Sequence, residues 1–391
     1  MRLLFTGAAI WCNTGYAKPL RYLFPRLHAA GHDLALAPFY GWGGKIVDTD
    51  LDGVPLRLYP QARDGYFNDI IGHHAMHFKA DAVITLQDVW ILDKWGKRDF
   101  RWCPWMPVDT QPVSEAILAQ LEGCHTPLVW CEWARTELEA HGYKPRVIPF
   151  GVDLEMHQPR DREACRKRAG LPDGFLAGMV AANSSEPSRK SIPEALLAWR
   201  QWLDAGGHGH LYLHMTATPK GRDGHGIDMV GLLKTLDLPW STLDDPDTER
   251  HTRASVLFPA AYSMWTGGVD DSELSDIYNA LDVLLAPSMA EGFGIPILEA
   301  QACGTPVVTL NTTAMPEITW NGVCLEPVQP FWEDQGGWRG VAPVDEIYHA
   351  IRCAAQGGYA RYVPEELQAY DWDVVVERDW LPFLEELEAE P

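Results

Sequence analysis

Short runs of apolar residues alternate along this chain with longer stretches whose apolar positions recur every three or four residues. Arg2–Phe5, Asp33–Pro38, Ala82–Leu86, Trp102–Met106, Pro127–Trp130 and Arg146–Ile148 read as strands, and Ala17–Ala30 and Arg135–His141 between them read as helices. Short apolar strands flanked by helices belong in a buried parallel sheet. The alternation resumes through Gly174–Ala181, Ser191–Ala205, Leu211–Thr216, Ile227–Leu236, Ala254–Leu257, Leu274–Leu281, Val283–Ala286, Ile295–Cys303 and Pro306–Val308, helix and strand in turn. The intervening Met156–Asp173 is polar and basic, includes Pro159 and Pro172, and reads as a connection with a short helix. Trp332–Gly340, rich in glycine and tryptophan, reads as a loop. Val374–Glu390 carries Val375, Trp380, Phe383, Leu384 and Leu387 at helical spacing and is long enough to pack back on a domain. The pattern predicts an α/β protein with a domain over 1–155, a linker over 156–173, a second domain over 174–373 and a terminal helix over 374–391 that returns toward the first domain.

A length of 391 residues exceeds what one core usually serves, and 46% hydrophobic residues suffice for two. The net charge of -22 is lopsided: residues 1–160 carry 16 Lys and Arg against 18 Asp and Glu, and the remainder carries 16 against 36. An acidic surface repels nucleic acid and anionic lipid, so no nucleic-acid partner is expected. The near-neutral first part leaves peripheral membrane contact open. No cysteine pair has CxxC spacing, and Met1–Gly7 reads as a strand because its apolar run is too short for a signal peptide. No window reaches 18 apolar residues. Reduced thiols and a cytoplasmic location are the expectation. Seventeen tryptophans are unusual; most serve packing, but a cleft lined by them suits a sugar or an apolar acceptor.

The most specific stretch runs from Pro287 to Val308. A strand ends there in a loop where Gly292 and Gly294 let the backbone approach a ligand, Pro296 sits in the first turn of a helix, and Gly304 and Pro306 stop that helix. The amides at such a helix start suit an anion, and a diphosphate is a natural occupant. Glu291 lies in the loop and Glu299 two turns along, so both carboxylates can meet one elongated ligand, where they accept hydrogen bonds from paired hydroxyls. Either glutamate alone would read as a solvated helix charge.

This string, with Glu291 and Glu299 embedded in Glu-Gly-Phe-Gly, Pro, Glu-Ala, Ala-Cys-Gly and Pro-Val, resembles the signature of the retaining GT-B glycosyltransferases of family 4, the group 1 type. The resemblance implies a GT-B fold, two Rossmann-like domains facing across a cleft. It implies that Glu291 holds donor-sugar hydroxyls, that Glu299 holds ribose hydroxyls, and that the amides around Phe293, Gly294 and Ile295 receive donor sugar and phosphate oxygens. Val147–Asp153 resembles the strand end that precedes the family's linker, with Phe150 replacing an asparagine. Gly267–Asp270 with Leu274, Tyr278, Asn279, Ala280 and Asp282 resembles the segment after the base-binding strand, and Pro316-Glu317 with Asn321-Gly322 a pair beyond the signature, where Glu317 is structural.

Further candidates follow from the same resemblance. Asn13-Thr14-Gly15-Tyr16-Ala17 follows the first strand where relatives keep a glycine-rich loop, so Gly15 is a phosphate-approach candidate, although only one glycine stands at the turn. Arg189 and Lys190 stand where the family grips the diphosphate; Lys190 matches the second cationic position, and Ala182 occupies the first. Asp109, after the Trp102–Met106 strand, is the candidate facing the anomeric carbon; its alternative is a cap for a helix over Gln111–Gln120. Gln87 and Asp88 are weaker acceptor-side candidates.

His73, His74 and His77 have helical spacing but gain no cysteine or carboxylate, and read as core or surface residues; Asp48-Thr49-Asp50 imitates a metal-binding DxD but sits in a polar stretch that reads as a loop. No metal and no tightly bound cofactor are expected. The reading is a hexosyltransferase that moves a sugar from a nucleotide diphosphate-sugar, UDP- or GDP-linked, to an acceptor hydroxyl. Its rivals are a sugar-nucleotide epimerase or phosphorylase of the same fold, a nucleotide-sugar binding protein with weakened catalysis, and a transferase that modifies nucleic acid.

Overall fold

A computed structural model describes residues 1–12, 14–40, 42–217 and 225–390. The chain divides into two units. Unit 1 takes Met1–Gly151, Trp332–Trp338 and the C-terminal stretch from Gln368 on; unit 2 takes Val152–Phe331 and Arg339–Leu367.

Unit 1 is built on β1 (Arg2–Ala8), β2 (Asp33–Phe39), β3 (Val47–Leu51), β4 (Val54–Leu58), β5 (Ala82–Leu86), β6 (Trp102–Trp105), β7 (Leu128–Val129) and β8 (Arg146–Val147), in the order β3-β4-β2-β1-β5-β6-β7-β8. All neighbours are parallel except β3 and β4. The central strands β1 and β5 are buried almost throughout, as their apolar sequences require of a sheet covered on both faces. Asp48-Thr49-Asp50, expected in a loop, instead forms edge strand β3, where Asp48 pairs with Arg57 on β4 at 2.6 Å. Antiparallel pairing across the tight Asp52-Gly53 turn, both at positive φ, explains why a polar sequence is extended here.

The C-terminal stretch of unit 1 is helical over Trp372–Val375, π-helical over Val376–Trp380 and helical again over Leu381–Ala389. Trp380 lies against Phe5 of β1 and Trp105 of β6, at ring-centroid distances of 6.3 and 4.9 Å. Arg101 donates to the carbonyls of Leu387 and Glu390, and Arg146 pairs with Glu386. A Cβ on Gly151 would come within 2.5 Å of the Trp372 indole, so a glycine is required at that approach. Its neighbour Phe150 is buried between Trp105 and Trp130.

Unit 2 is built on β9 (Leu176–Val180), β10 (His210–His214), β11 (Trp240–Thr242), β12 (Val256–Phe258), β13 (Val283–Leu285), β14 (Val307–Leu310) and β15 (Gly322–Leu325), all parallel, in the order β11-β12-β10-β9-β13-β14-β15. Residues 156–173, read from sequence as a connection, lie in unit 2. Their helix, Arg162–Ala169, is anchored there by charge: Arg166 reaches Asp282 at 2.9 Å, and Arg168 reaches Asp276 at 2.6 Å. The hydrogen bonds from Arg168 hold the Asp276 carboxyl down at about 2. The helix Asp271–Ala280 begins with a reciprocal cap, the Glu273 amide donating to Asp270 at 2.8 Å and the Asp270 amide to Glu273 at 3.1 Å.

The stretch Trp332–Gly340 is not a loop. It lies within a hairpin of β16 (Gln329–Glu333) and β17 (Gly337–Val341), whose turn uses Gly336 at φ 94°. No helix among the described residues is long and apolar enough to cross a membrane.

Candidate functional site

In each parallel sheet the strand order reverses once, and in open α/β sheets ligands bind outside the carboxyl ends of the strands at that reversal. In unit 2 it lies between β9 and β13. The loop after β9 carries Arg189 and Lys190 and leads into the helix Ile192–Asp204; the loop after β13 carries Glu291 and leads into the helix Ile295–Ala302. The first helix forms because Ile192, Ala195, Leu196, Ala198, Trp199 and Trp202 make one buried stripe. The second is buried from Ile297 to Ala302. A backbone hydrogen bond from Met289 to Arg189, 2.8 Å, ties the two loops together.

Arg189, Lys190 and Glu291 meet there. The Lys190 ammonium donates to Glu291 Oε1, and Arg189 donates to the Ala290 carbonyl at 2.7 Å and to Glu291 Oε2 at 3.4 Å. Burial pushes the Glu291 carboxyl up, but the charges of Lys190 and Arg189 outweigh it and hold the group down at about 2. Glu291 is therefore a carboxylate throughout the physiological range. Thr313, missed from sequence, clasps the same residue: its hydroxyl accepts from the Glu291 amide at 2.9 Å and donates to the Glu291 carbonyl at 2.8 Å. Thr313 sits at φ 50°, a local detail with no signal in the residue string.

The helix start beside this cluster is defined by Gly294 at φ 111°, where a Cβ would also crowd Ile297 and Ile318. Pro296 has no N–H, and the Ile297 amide already donates to the Gly294 carbonyl at 2.9 Å. Among the described residues no acceptor meets the amides of Gly294 and Ile295. Phe293 is buried at 2% exposure, so its ring belongs to the core while its backbone belongs to the loop.

Glu299, on the same helix, is directed inward. It is 2% exposed, accepts from the Tyr278 hydroxyl at 2.7 Å, and lies 3.6 Å from His157 Nε2. Burial, then the charge of Glu299, raises the Tyr278 phenol well above its ordinary value, so Tyr278 is the donor of that pair. The sequence placed Tyr278 in a helix and in the stretch that resembles the family segment after the base-binding strand, with no contact to Glu299 foreseen, and gave no sign of His157.

In unit 1 the reversal lies between β1 and β5. Gly15, after β1, is exposed and a Cβ there would meet nothing, so the local fold does not demand a glycine. Asn13 lies outside the described residues. Tyr16 donates to Asp88, after β5, at 2.8 Å, joining the two sides of the reversal. Asp109 follows β6 and is half-buried. It is not the helix cap: the helix covers Glu115–Leu121 and Ser114 caps it, accepting from Ile117 at 3.3 Å. The structure thus gathers Arg189, Lys190, Glu291, Gly294 and Ile295 in unit 2, sets Glu299 deeper in the same helix, and places Gly15 and Asp109 on separate loops of unit 1. His74 and His77 pack around Tyr59, with His74 Nε2 2.9 Å from the Pro60 carbonyl and His77 Nδ1 2.8 Å from the Tyr59 hydroxyl.

Residues 250–332 match the profile of the family described as "Glycosyl transferases group 1". The chain is 30% identical over 196 residues to a D-inositol 3-phosphate glycosyltransferase of Geodermatophilus obscurus, an alignment covering 49% of this chain and 38% of that protein. It is 26% identical over 246 residues to a protein of the same description from Mycobacterium bovis, covering 61% of this chain and 44% of the other. These alignments span less than half the length of the curated relatives. Among solved structures, sucrose-phosphate synthase from Thermosynechococcus elongatus matches with a TM-score of 0.71 at 17% identity over 100% of both chains. An Anabaena protein in complex with UDP and glucose matches with a TM-score of 0.64 at 15% identity, again over 100% of both. The fold is GT-B-like, with two Rossmann-like α/β domains.

Proposed function

We propose that this chain is a retaining glycosyltransferase, a hexosyltransferase that moves a sugar from a UDP- or GDP-sugar to an acceptor hydroxyl. The observation that carries the reading is the meeting of Arg189, Lys190 and Glu291 at the unit 2 reversal, beside the amides of Gly294 and Ile295. A diphosphate needs fixed cations and N–H donors, and this edge supplies both. As the bond between the anomeric carbon and the leaving phosphate breaks, negative charge collects on the phosphate oxygens. Donors already in position stabilise that charge more than they stabilise the ground state. Two protein cations can do this without a metal.

Glu291 serves first as a placeholder. It holds Lys190 and Arg189 in position, and an incoming diphosphate competes for them, which leaves its oxygens to accept from sugar hydroxyls. Glu299, kept in orientation by Tyr278, takes the ribose hydroxyls. Asp109 accepts a sugar hydroxyl or steadies positive charge at the anomeric carbon. The acceptor oxygen attacks from the face the phosphate leaves, its proton passing to the departing phosphate, so configuration is retained. The description of the curated relatives as glycosyltransferases and the UDP and glucose held by a protein of the same fold support this reading.

A panel of UDP- and GDP-sugars, followed by phosphorus NMR for nucleotide release and proton NMR for the sugar product, tests it. One donor should be consumed with retained anomeric configuration. Failure of every donor to bind at millimolar concentration, or an inverted product, would overturn it.

A further inference from the structure

We infer that unit 1 takes an extended neutral glycan as acceptor, laid over tryptophans at the carboxyl edge of its sheet; this builds on the transferase reading above. β2, β1, β5 and β6 are consecutive neighbours in that sheet. The loop after β1 carries Trp11, 50% exposed, with its ring 6.3 Å from Trp42 in the segment after β2. The loop after β6 carries Gln111, whose backbone exchanges two hydrogen bonds, 2.8 and 3.3 Å, with Trp338 of the β16–β17 hairpin. Trp338 and Trp332 are 47% and 50% exposed, and their rings stand 4.9 Å apart, edge to face. A side chain on Gly337 would collide with Thr110, so the hairpin tip is fitted to this loop. In strand order, exposed Trp11, with half-buried Trp42 beside it, belongs to the β1 side of β5, and the exposed Trp332–Trp338 pair meets the loop on the β6 side. Neighbouring strands lie ~4.8 Å apart, so the ends of β1 and β6, from which the two loops leave, are about 10 Å apart.

The chemistry between them selects the ligand. Asp88, after β5, already accepts from Tyr16, and the Oε1 of Gln87, a residue only 7% exposed, meets no donor among the described residues. The Gln87 oxygen calls for a hydrogen-bond donor, and a hydroxyl that reaches it would relieve a buried unsatisfied acceptor. A pyranose offers an apolar face to an indole and hydroxyls at its rim. An acyl chain would cover the indoles but donate nothing. A phosphorylated or carboxylated acceptor would meet the Asp88 carboxylate. A ligand that meets both Trp11 and the Trp332–Trp338 pair reaches loops of strands two places apart, so it has several sugar units.

The test is a length series of neutral gluco-, manno- and galacto-oligosaccharides, from monosaccharide to tetrasaccharide, titrated by saturation-transfer NMR. Affinity should rise about tenfold along one series, equivalent to ~1.4 kcal/mol. In the Trp332→Ala/Trp338→Ala double variant the ratio of tetrasaccharide to monosaccharide affinity should fall toward one, and the corresponding double Phe variant should restore most of it. Affinity independent of length, equal loss at every length in the Ala variant, transfer to the tail of an alkyl glycoside instead of its ring, or silence from all three series would each overturn the inference. Nucleotide-sugar binding in the same samples separates the outcomes: if donors bind and glycans do not, only this inference fails, and if donors do not bind, the transferase reading fails.

Discussion

The two units wind their sheets alike and equip them differently. Each reverses strand order once, between β1 and β5 in unit 1 and between β9 and β13 in unit 2. At the unit 2 reversal the loops bring two cations to one half-buried carboxylate. At the unit 1 reversal they bring a tyrosine to an aspartate, with exposed tryptophans alongside. The difference is local and not one of overall charge, since unit 1 carries 26 acidic residues against 16 basic and unit 2 carries 28 against 16. Lys190 and Arg189 bring two positive charges to the reversal in unit 2, which is what the proposed diphosphate would need there. A shared scaffold fixes where a ligand goes, and the loops decide which ligand.

The largest effect should come from the charged side of this comparison. Lys190→Ala removes the ammonium that the proposed mechanism turns from Glu291 to the leaving phosphate, and should lower kcat on the order of 10²-fold or more, ~3 kcal/mol of transition-state stabilisation, in a steady-state assay with the preferred donor. Asp88→Asn, on the neutral side, should act mainly on the acceptor KM, and by about tenfold or less. Equal effects of the two changes on kcat would erase the proposed division of labour.

Next comes acid. Because the folded Glu291 carboxyl titrates at about 2, below its ordinary 4.5, its contribution to stability is complete above the unfolded value and is lost as pH falls from there toward 2. Urea midpoints at about pH 5 and about pH 3 should therefore fall more steeply for the wild type than for Glu291→Gln. Parallel curves would mean that the ion cluster is not formed in solution.

Smaller effects belong to the framework. Tyr278→Phe removes the donor to Glu299 and should cost ~1–3 kcal/mol, read as a lower thermal midpoint together with weaker nucleotide binding. Asp270→Ala, which removes one half of the reciprocal cap, should cost ~1 kcal/mol in the same melt.

Much of this was legible in the residues. β5 is bounded by Ala82 and Leu86 as its apolar run predicts, and the other central strands deviate only at their ends, because a strand buried on both faces has no polar residue to disguise it. Edge and hairpin strands were hidden for the converse reason. Val47–Leu51 is polar because one side of β3 has no neighbour, and the glycines of Trp332–Gly340 signal a turn and close packing as readily as a loop. At the candidate site, Glu291 stood out through the glycine-rich string around it, and Lys190 and Arg189 through the family resemblance. Thr313, Tyr278 and His157 were not, since each enters through a tertiary contact made across at least 21 residues of sequence.

Hydrogen exchange with and without a saturating nucleotide-sugar tests the central claim most directly. Slowed exchange should appear at Arg189–Ile192 and at Glu291–Ile295, the two loops that meet at the β9–β13 reversal, and be strongest at the Gly294 and Ile295 amides. Protection confined to the loops after β1 and β5, with those amides unchanged while the nucleotide-sugar is bound, would contradict it.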